Sequence, residues 1–530
     1  MITRKQNIVA LFSLFALVGI RTVWADDPLV EAFVKPPPEV RPMIWWHWLN
    51  GNVSRDGIEK DLQAMKSAGV GGFQLFDVSM CAPGPLRYGS PEWIGTRAFA
   101  LKRAQELGLS TGLHVGPGWS EAAGPWVTPE DSMKCLVWTE TVVAGGTVER
   151  ILAEPRRVEG VYHDVAVLAV PCGAADLAEL AQPRPVAELE GAATNVAALV
   201  DGDPTTTCEL PKPTADQPVS IRLTFPEAVT VSGLECTLPL ARWGLIARAT
   251  LEASEDGRAF APVRELRLLP GSGMPPVTAV NFEPVTARVF RLRVYEPTDN
   301  ISPTGLAEIR LRATARVEDW GVLSGRMPFG PGTQIADSPA RPVAGTPAAA
   351  VVELSERMDG AGRLRWQAPA GQWIVYRFGY TSTGERNHPA QPEGTGLEVD
   401  KMDAAAVRRY VAHSIGRELA LAGSPVRTML ADSWEAGAQN WAADFPAQFQ
   451  RSAGYDLRRW LPVLTGRVIG TSEQSTAFLW DFRQAISRAV ATNYYGTLRK
   501  EMEARGVTFY VEPYGGPFEM SAAAETGNVP

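Results

Sequence analysis

Between Met43 and Val115 the sequence alternates strand-like and helix-like segments, breaks off for more than 200 residues, and takes the alternation up again near position 403. Met43–Leu49 is an apolar run of strand character. Ser54 is placed to cap a helix in which Ile58, Leu62 and Met65 recur at helical spacing before Gly69. Gly72–Val78 reads as a second strand and Ser90-Pro91 as the start of a second helix. Ile94, Ala98, Leu101 and Leu107 are expected to form that helix's buried stripe, with Gly108 ending it before a third strand, Ser110–Val115. A βαβαβ run requires a parallel sheet covered by helices, which leaves a doubly wound sheet or a (β/α)8 barrel.

In the interruption the helical period is lost after about residue 135. Val219–Phe225, Ala249–Ala253, Val289–Val294 and Ala307–Leu311 are short strands separated by Pro, Gly and Asp turns, which predicts an all-β insert. Residues 136–185 and 315–385 read as β-rich connecting units, the second including the strand Gly371–Tyr380. Past the insert, Asp403 caps a helix with Val407, Tyr410, Val411 and Ile415 on one face. The strand Val426–Ala431, a helical region over 473–505 and the strand Val507–Val511 follow. That makes five parallel strands, with a sixth expected in 375–385, where a closed barrel needs eight. The expected fold is therefore an α/β (β/α)8 barrel formed by 26–135 and 386–530, incomplete at its C-terminus and interrupted by the β insert.

Composition excludes several classes. Of the 530 residues 45% are hydrophobic and 21% charged, a globular balance, and a net charge of −8 without Lys/Arg runs argues against nucleic-acid binding. Residues 1–25 read as a secretory signal peptide, with Arg4 and Lys5 before an apolar stretch from Ile8 to Ile20 and Ala25 at the cleavage point. The expectation is a periplasmic or secreted protein without a membrane span. Five cysteines without a Cys-x-x-Cys pair make a zinc site a poor reading. Cys208 and Cys236 are the best-placed pair for a disulfide, with buried free thiols the alternative.

In a barrel of this kind the reactive groups lie at the carboxyl ends of the strands. There the sequence has His47 and Asn50, then Asp77, then His114 with Trp119, Ser120 and Glu121. The later strands end in Asp432-Ser433-Trp434-Glu435, followed by Asn440-Trp441, and in Glu512-Pro513-Tyr514. Glycosidic cleavage uses two carboxyl groups, one protonated to help the leaving oxygen depart and one ionised. Glu435 and Glu512 are the pair by position. Glu435, beside Trp434 and Trp441, is expected to have a raised pKa and to act as general acid, held by Asp432. Glu512 is open to the roles of base, sugar-hydroxyl acceptor, metal ligand or anchor. His47, Asn50, Asp77, His114, Trp119, His388, Asp432, Asn440, Trp441 and Tyr514 are candidates for contacting a sugar, and the polar loop from Gly384 to Lys401 is a lid, a substrate wall or a connector. No ligand set for a metal can be read from spacing.

The segments Ile44-Trp45-Trp46-His47-Trp48-Leu49-Asn50-Gly51, Gly71-Gly72-Phe73-Gln74, Gly116-Pro117-Gly118-Trp119-Ser120-Glu121 with Gly124-Pro125-Trp126-Val127, Asp432-Ser433-Trp434-Glu435 with Gln439-Asn440-Trp441, and Glu512-Pro513-Tyr514-Gly515, in this order, resemble glycoside hydrolase family 106. Residues 186–314 resemble a discoidin-like carbohydrate-binding β-sandwich, through Ala198-Leu199-Val200-Asp201-Gly202-Asp203, Glu252-Ala253-Ser254-Glu255-Asp256-Gly257, Phe290-Arg291-Leu292-Arg293 and Ala307-Glu308-Ile309-Arg310-Leu311. The first resemblance implies a (β/α)8 barrel, inverting release of α-L-rhamnose, calcium at the sugar site and Glu435 as general acid. It also implies a general base on a later strand, past Pro530.

The function expected is hydrolysis of terminal α-L-rhamnose from polysaccharides, oligosaccharides or glycosides. The alternative is a carbohydrate-binding protein without catalysis. A lyase or esterase is disfavoured because the strand ends offer carboxylates and no Gly-x-Ser-x-Gly elbow is present. Oligomeric state is not legible.

Overall fold

A computed structural model describes residues 28–37, 40–191, 195–214, 216–239, 247–268, 276–297, 305–326, 342–419 and 425–529. The proposed signal peptide lies outside them. Five strands form a parallel sheet: β1 (Met43–Leu49), β2 (Gly72–Val78), β3 (Ser110–His114), β4 (Val426–Ala431) and β5 (Thr508–Val511). They neighbour one another in chain order, with Met43 opposite Gly72, Gly72 opposite Ser110, Leu113 opposite Met429 and Leu430 opposite Tyr510. Because each strand joins the same advancing edge, right-handed crossovers put the helices on one face and leave the other to the site.

The helices begin where the sequence says they should. In α1 (Arg55–Ser67) the Ser54 hydroxyl accepts from the Gly57 amide and Ile58, Leu62 and Met65 are buried. In α2 (Pro91–Glu106) the Ser90 hydroxyl accepts from the Trp93 amide. Its buried face corrects the expected stripe: Trp93, Arg97, Ala100, Leu101 and Ala104 face inward, and Ile94 is exposed. The reason is Asp77 at the end of β2, which draws Trp93 and Arg97 to the sheet and so sets the helix's rotation. Asp403 caps α3 (Ala404–His413), and Val407, Tyr410 and Val411 are buried. The helical stretch after residue 471 comprises α4 (Ser472–Ala489), a π-helical turn over Val490–Tyr495, and α5 (Gly496–Glu503).

The strand expected as a sixth member of this sheet belongs elsewhere. Arg363–Ser382 runs antiparallel between Lys134–Ile151 and His163–Pro171, so that Lys134 faces Ser382 where the chain leaves and re-enters the parallel region. Its inner residues Tyr376 and Phe378 join the core of the parallel sheet. Between these strands the insert forms a six-stranded sheet around Val219–Thr237 and Val277–Pro297, with a separate core that includes Leu223, Phe225, Leu251, Phe290 and Leu292. One helix, Ala174–Ala181, breaks the expected all-β character of the interruption. Cys208 and Cys236 are both buried free thiols, so the considered disulfide is not formed.

Candidate active site

Side chains alternate across a strand, and this period of two sorts the candidates. His47, Phe76 and His114 emerge on one face and stack as a column, with ring centroids 5.1 Å apart for His47–Phe76 and 4.8 Å for Phe76–His114. On β4 and β5 the same face carries Leu430 and Tyr510, packed near Phe76 and Trp119, and two residues further it carries Asp432 and Glu512. Burial disfavours the charged form of both histidines. Trp119 Nε1 donates to His47 Nε2 at 3.3 Å, and burial lowers the His47 pKa. His114 Nδ1 lies 2.6 Å from the Gly116 carbonyl to which it donates, and burial pulls its pKa down to about 4.

Three carboxyl groups converge at the ends of β4 and β5. The Trp434 amide donates to the Tyr514 carbonyl at 3.0 Å, holding the two loops together. Asp432 is nearly buried and is hydrogen-bonded to Glu512. Burial pushes its carboxyl up to about 8; the Ser433 amide opposes this, and the charges of Glu512 and Glu435 add to it. Asp432, expected to hold Glu435, is thus the carboxyl whose protonated form burial favours. Glu435 reaches outward, its side chain 26% exposed and its Oε2 3.8 Å from His388 Nε2. His388 is fixed in turn by the β3 loop, because its amide donates to Ser120 Oγ at 3.1 Å and its carbonyl accepts from the Trp119 amide. A Cβ at Gly118, which has φ +90°, would stand 2.8 Å from that carbonyl, so only glycine fits there.

Below the carboxylates lies a buried charge system that the sequence did not single out. Lys401 Nζ donates to Glu398 Oε2 at 2.7 Å with both side chains fully buried, and it sits 5.2 Å from the Trp434 ring centroid and 5.5 Å from that of Tyr494. Tyr495 Oη donates to Glu121 Oε1 at 2.6 Å, and burial pushes Glu121 up to about 8, with Lys401 opposing. The π-helical turn supplies both tyrosines.

This system sets a pH dependence. Glu121 and Asp432 bind protons in the folded chain at pH values where an unfolded carboxyl has lost its proton, so their contribution to stability is full below about pH 4 and falls as pH rises to about 8. His114, held down near 4, works the other way, but only up to the ordinary histidine value of about 6.5. Between pH 6.5 and 8 the melting temperature is expected to fall less steeply in Glu121→Gln than in the wild type. Equal slopes in thermal melts across that window would refute the assignment.

Of the residues proposed from sequence, His47, His114, Trp119, His388, Asp432, Glu435 and Glu512 lie on this face or its loops. Tyr514 stands at the mouth, half exposed. Four others do not join them. Asp77 has the opposite parity, accepts from Trp93 Nε1 at 3.0 Å and pairs with Arg97 on the helix face. Asn50 turns the chain with φ +47° and donates through Nδ2 to the Cys81 carbonyl at 2.5 Å. Asn440 spends its amide on the Leu136 amide and the Ser324 carbonyl, and Trp441 is buried against Phe445. Glu121, Glu398, Lys401 and Tyr495 were missed as site residues. Glu121 stood in a quoted motif, but nothing local announces that Tyr495, 374 positions away, will meet it. Among the described residues no three His, Cys, Asp or Glu side chains form a group that could hold a metal ion, so the implied calcium is given no ligands and no step below passes through it.

A parallel sheet whose carboxyl ends gather acidic and aromatic side chains, with one carboxyl partly exposed and its neighbour pushed by burial toward the protonated form, is the equipment of a glycoside hydrolase. The sequence matches the model of glycoside hydrolase family 106, described as alpha-L-rhamnosidase, over residues 34–525, and the chain belongs to that family. It is similar to the structure of a rhamnosidase from Novosphingobium sp. PP1Y, with 35% identity and a TM-score of 0.80 over 95% of this chain and 49% of that one. It is also 29% identical, over 99% of its length, to a protein of Formosa agariphila provisionally named a beta-glucuronidase. The chain spans 34% of that relative and about half of the solved structure.

Proposed function

We propose that this chain carries the sugar-cleaving site of an inverting α-L-rhamnosidase acting on terminal α-L-rhamnose of polysaccharides, oligosaccharides or glycosides in the periplasm or outside the cell. The observation that carries the reading is the division of labour among three converging carboxyl groups. Glu435, partly exposed beside His388, is the general acid and protonates the departing glycosidic oxygen. Asp432 and Glu512, sharing a hydrogen bond, grip sugar hydroxyls: the protonated Asp432 donates and Glu512 accepts. Water attacks the anomeric carbon from the opposite face. The base that takes its proton is assigned to none of these three. The one-directional winding of β1 to β5 supports reading the sheet as an arc of a (β/α)8 barrel.

The test is hydrolysis of an α-L-rhamnoside by the intact protein, with the anomer of the first product read by proton NMR. β-L-Rhamnose is expected. First-formed α-L-rhamnose would overturn inversion. Faster cleavage of p-nitrophenyl β-D-glucuronide, the substrate class suggested by the name of the Formosa agariphila relative, would overturn the choice of sugar.

A further inference from the structure

His388 is anchored through its backbone and presents its ring beside the acid. The Trp119 and Ser120 amides donate to its carbonyl at 3.0 and 3.2 Å, and its own amide donates to Ser120 Oγ at 3.1 Å. Next to it the buried Asn387 donates through Nδ2 to the Pro117 carbonyl at 2.8 Å and accepts from the Gly396 amide at 2.8 Å. The β3 loop therefore fixes the point from which the imidazole projects. The two ring nitrogens are distinct. Nδ1 lies 3.4 Å from the Arg386 carbonyl, and because a carbonyl can only accept, Nδ1 carries the proton of the neutral imidazole and Nε2 the lone pair. Nε2 stands 3.8 Å from Glu435 Oε2, beyond hydrogen-bonding length. An accepting nitrogen is thus set beside the oxygen of the acid, where it meets whatever donor the substrate carries next to the bond being broken.

Burial tells which part of the substrate carries that donor. Asp432 is 2% exposed, whereas the side chains of Glu435 and His388 are 26% and 23% exposed. An enzyme that removes a terminal sugar takes it into the closed end of its site and leaves the rest of the glycan towards solvent, which places His388 on the side of the leaving group. A leaving sugar joined through a ring hydroxyl has a second hydroxyl on the adjacent ring carbon, and that hydroxyl can donate to Nε2. One joined through its exocyclic C6 has the ring oxygen on the adjacent carbon instead. That oxygen only accepts, so it cannot pair with a lone pair.

We propose that His388 determines which leaving group is accepted, its Nε2 receiving a hydrogen bond from the hydroxyl next to the linkage, so that the substrate is rhamnose joined to a ring hydroxyl of a second sugar. The inference rests on Glu435 being the proton donor. The experiment measures kcat/KM of the whole protein for 2-, 3-, 4- and 6-O-α-L-rhamnosyl-D-glucose and for methyl α-L-rhamnoside. At least one ring-linked disaccharide is expected to exceed the 6-linked one by about tenfold, the worth of one well-made hydrogen bond. His388→Ala is expected to abolish this preference, and to lower kcat/KM for the preferred disaccharide about tenfold more than for methyl α-L-rhamnoside, whose leaving group has no second hydroxyl. His388→Gln, which keeps an accepting oxygen, is expected to retain part of the preference. No preference in the wild type, a preference that survives in His388→Ala, or equal losses on the methyl glycoside and the disaccharides in both variants would each overturn the proposal while leaving Glu435 as the acid. Equal losses on methyl and p-nitrophenyl α-L-rhamnoside in Glu435→Gln, or no cleavage of any rhamnoside by the wild type, would instead remove the acid's assignment and this inference with it.

Discussion

Glu435→Gln is expected to lower kcat/KM for methyl α-L-rhamnoside or a rhamnosyl disaccharide by about 10²–10⁴-fold, the range in which a positioned proton donor contributes. The loss should be much smaller for p-nitrophenyl α-L-rhamnoside, whose nitrophenolate departs without needing a proton. This contrast identifies a general acid, because a residue that merely shapes the site penalises both substrates alike. Asp432→Asn supplies the comparison. Its side chain is assigned to the sugar and not to the leaving group, so both substrates should suffer by the same factor. Initial rates for the two substrates with each variant decide the matter, and a substrate-independent loss in Glu435→Gln would remove it from the acid's role.

Lys401→Met is expected to destabilise the protein by about 3–5 kcal/mol, since it leaves the Glu398 carboxylate fully buried without its cation. The attraction between the two charges is not the source of that figure. Most of it is the cost of stranding one ion, so the double variant Lys401→Met/Glu398→Leu should regain most of the loss. Thermal and denaturant melts of the two single variants and the double variant measure this. An additive double variant would show that the pair is not the unit the geometry makes it. Activity is expected to stay low in the double variant even where stability returns, because Lys401 also opposes the raised pKa of Glu121 and lies over the Trp434 ring.

The parallel sheet was legible because its signals are local: Ser54 and Ser90 cap helices, Gly69 and Gly108 end them, and apolar strands follow at short intervals. What failed was everything set by partners distant in the chain. The stripe of α2 was misjudged because Asp77 outweighs Ile94 in fixing the helix's rotation. Residues 375–385 read as a barrel strand because an apolar run has the same composition in a parallel sheet and in an antiparallel ribbon. The site divided in the same way. Motif position found Glu435, Glu512, Asp432 and the histidines, but strand parity, which was available in the sequence, would already have set Asp77 apart from His47 and His114. Asn440 looked like a sugar reader because its environment, the Leu136 amide and the Ser324 carbonyl, comes from segments 304 and 116 positions away.

The antiparallel ribbon also bears on how the chain reaches this fold. Thr111 of β3 and Pro425 before β4 are 314 positions apart and hydrogen-bonded, and joining them through an unstructured loop of that length would cost about 5 kcal/mol of chain entropy. Ser132 and Ser382, 250 positions apart, touch at the ribbon's base with their hydroxyls 2.7 Å from each other. Once this base has zipped, the insert is cut out of the loop and the remaining closure is cheaper by on the order of 1 kcal/mol. The insert, with a core of its own, is thereby free to fold early or late. Variants that weaken the ribbon should therefore slow folding more than variants within the sandwich.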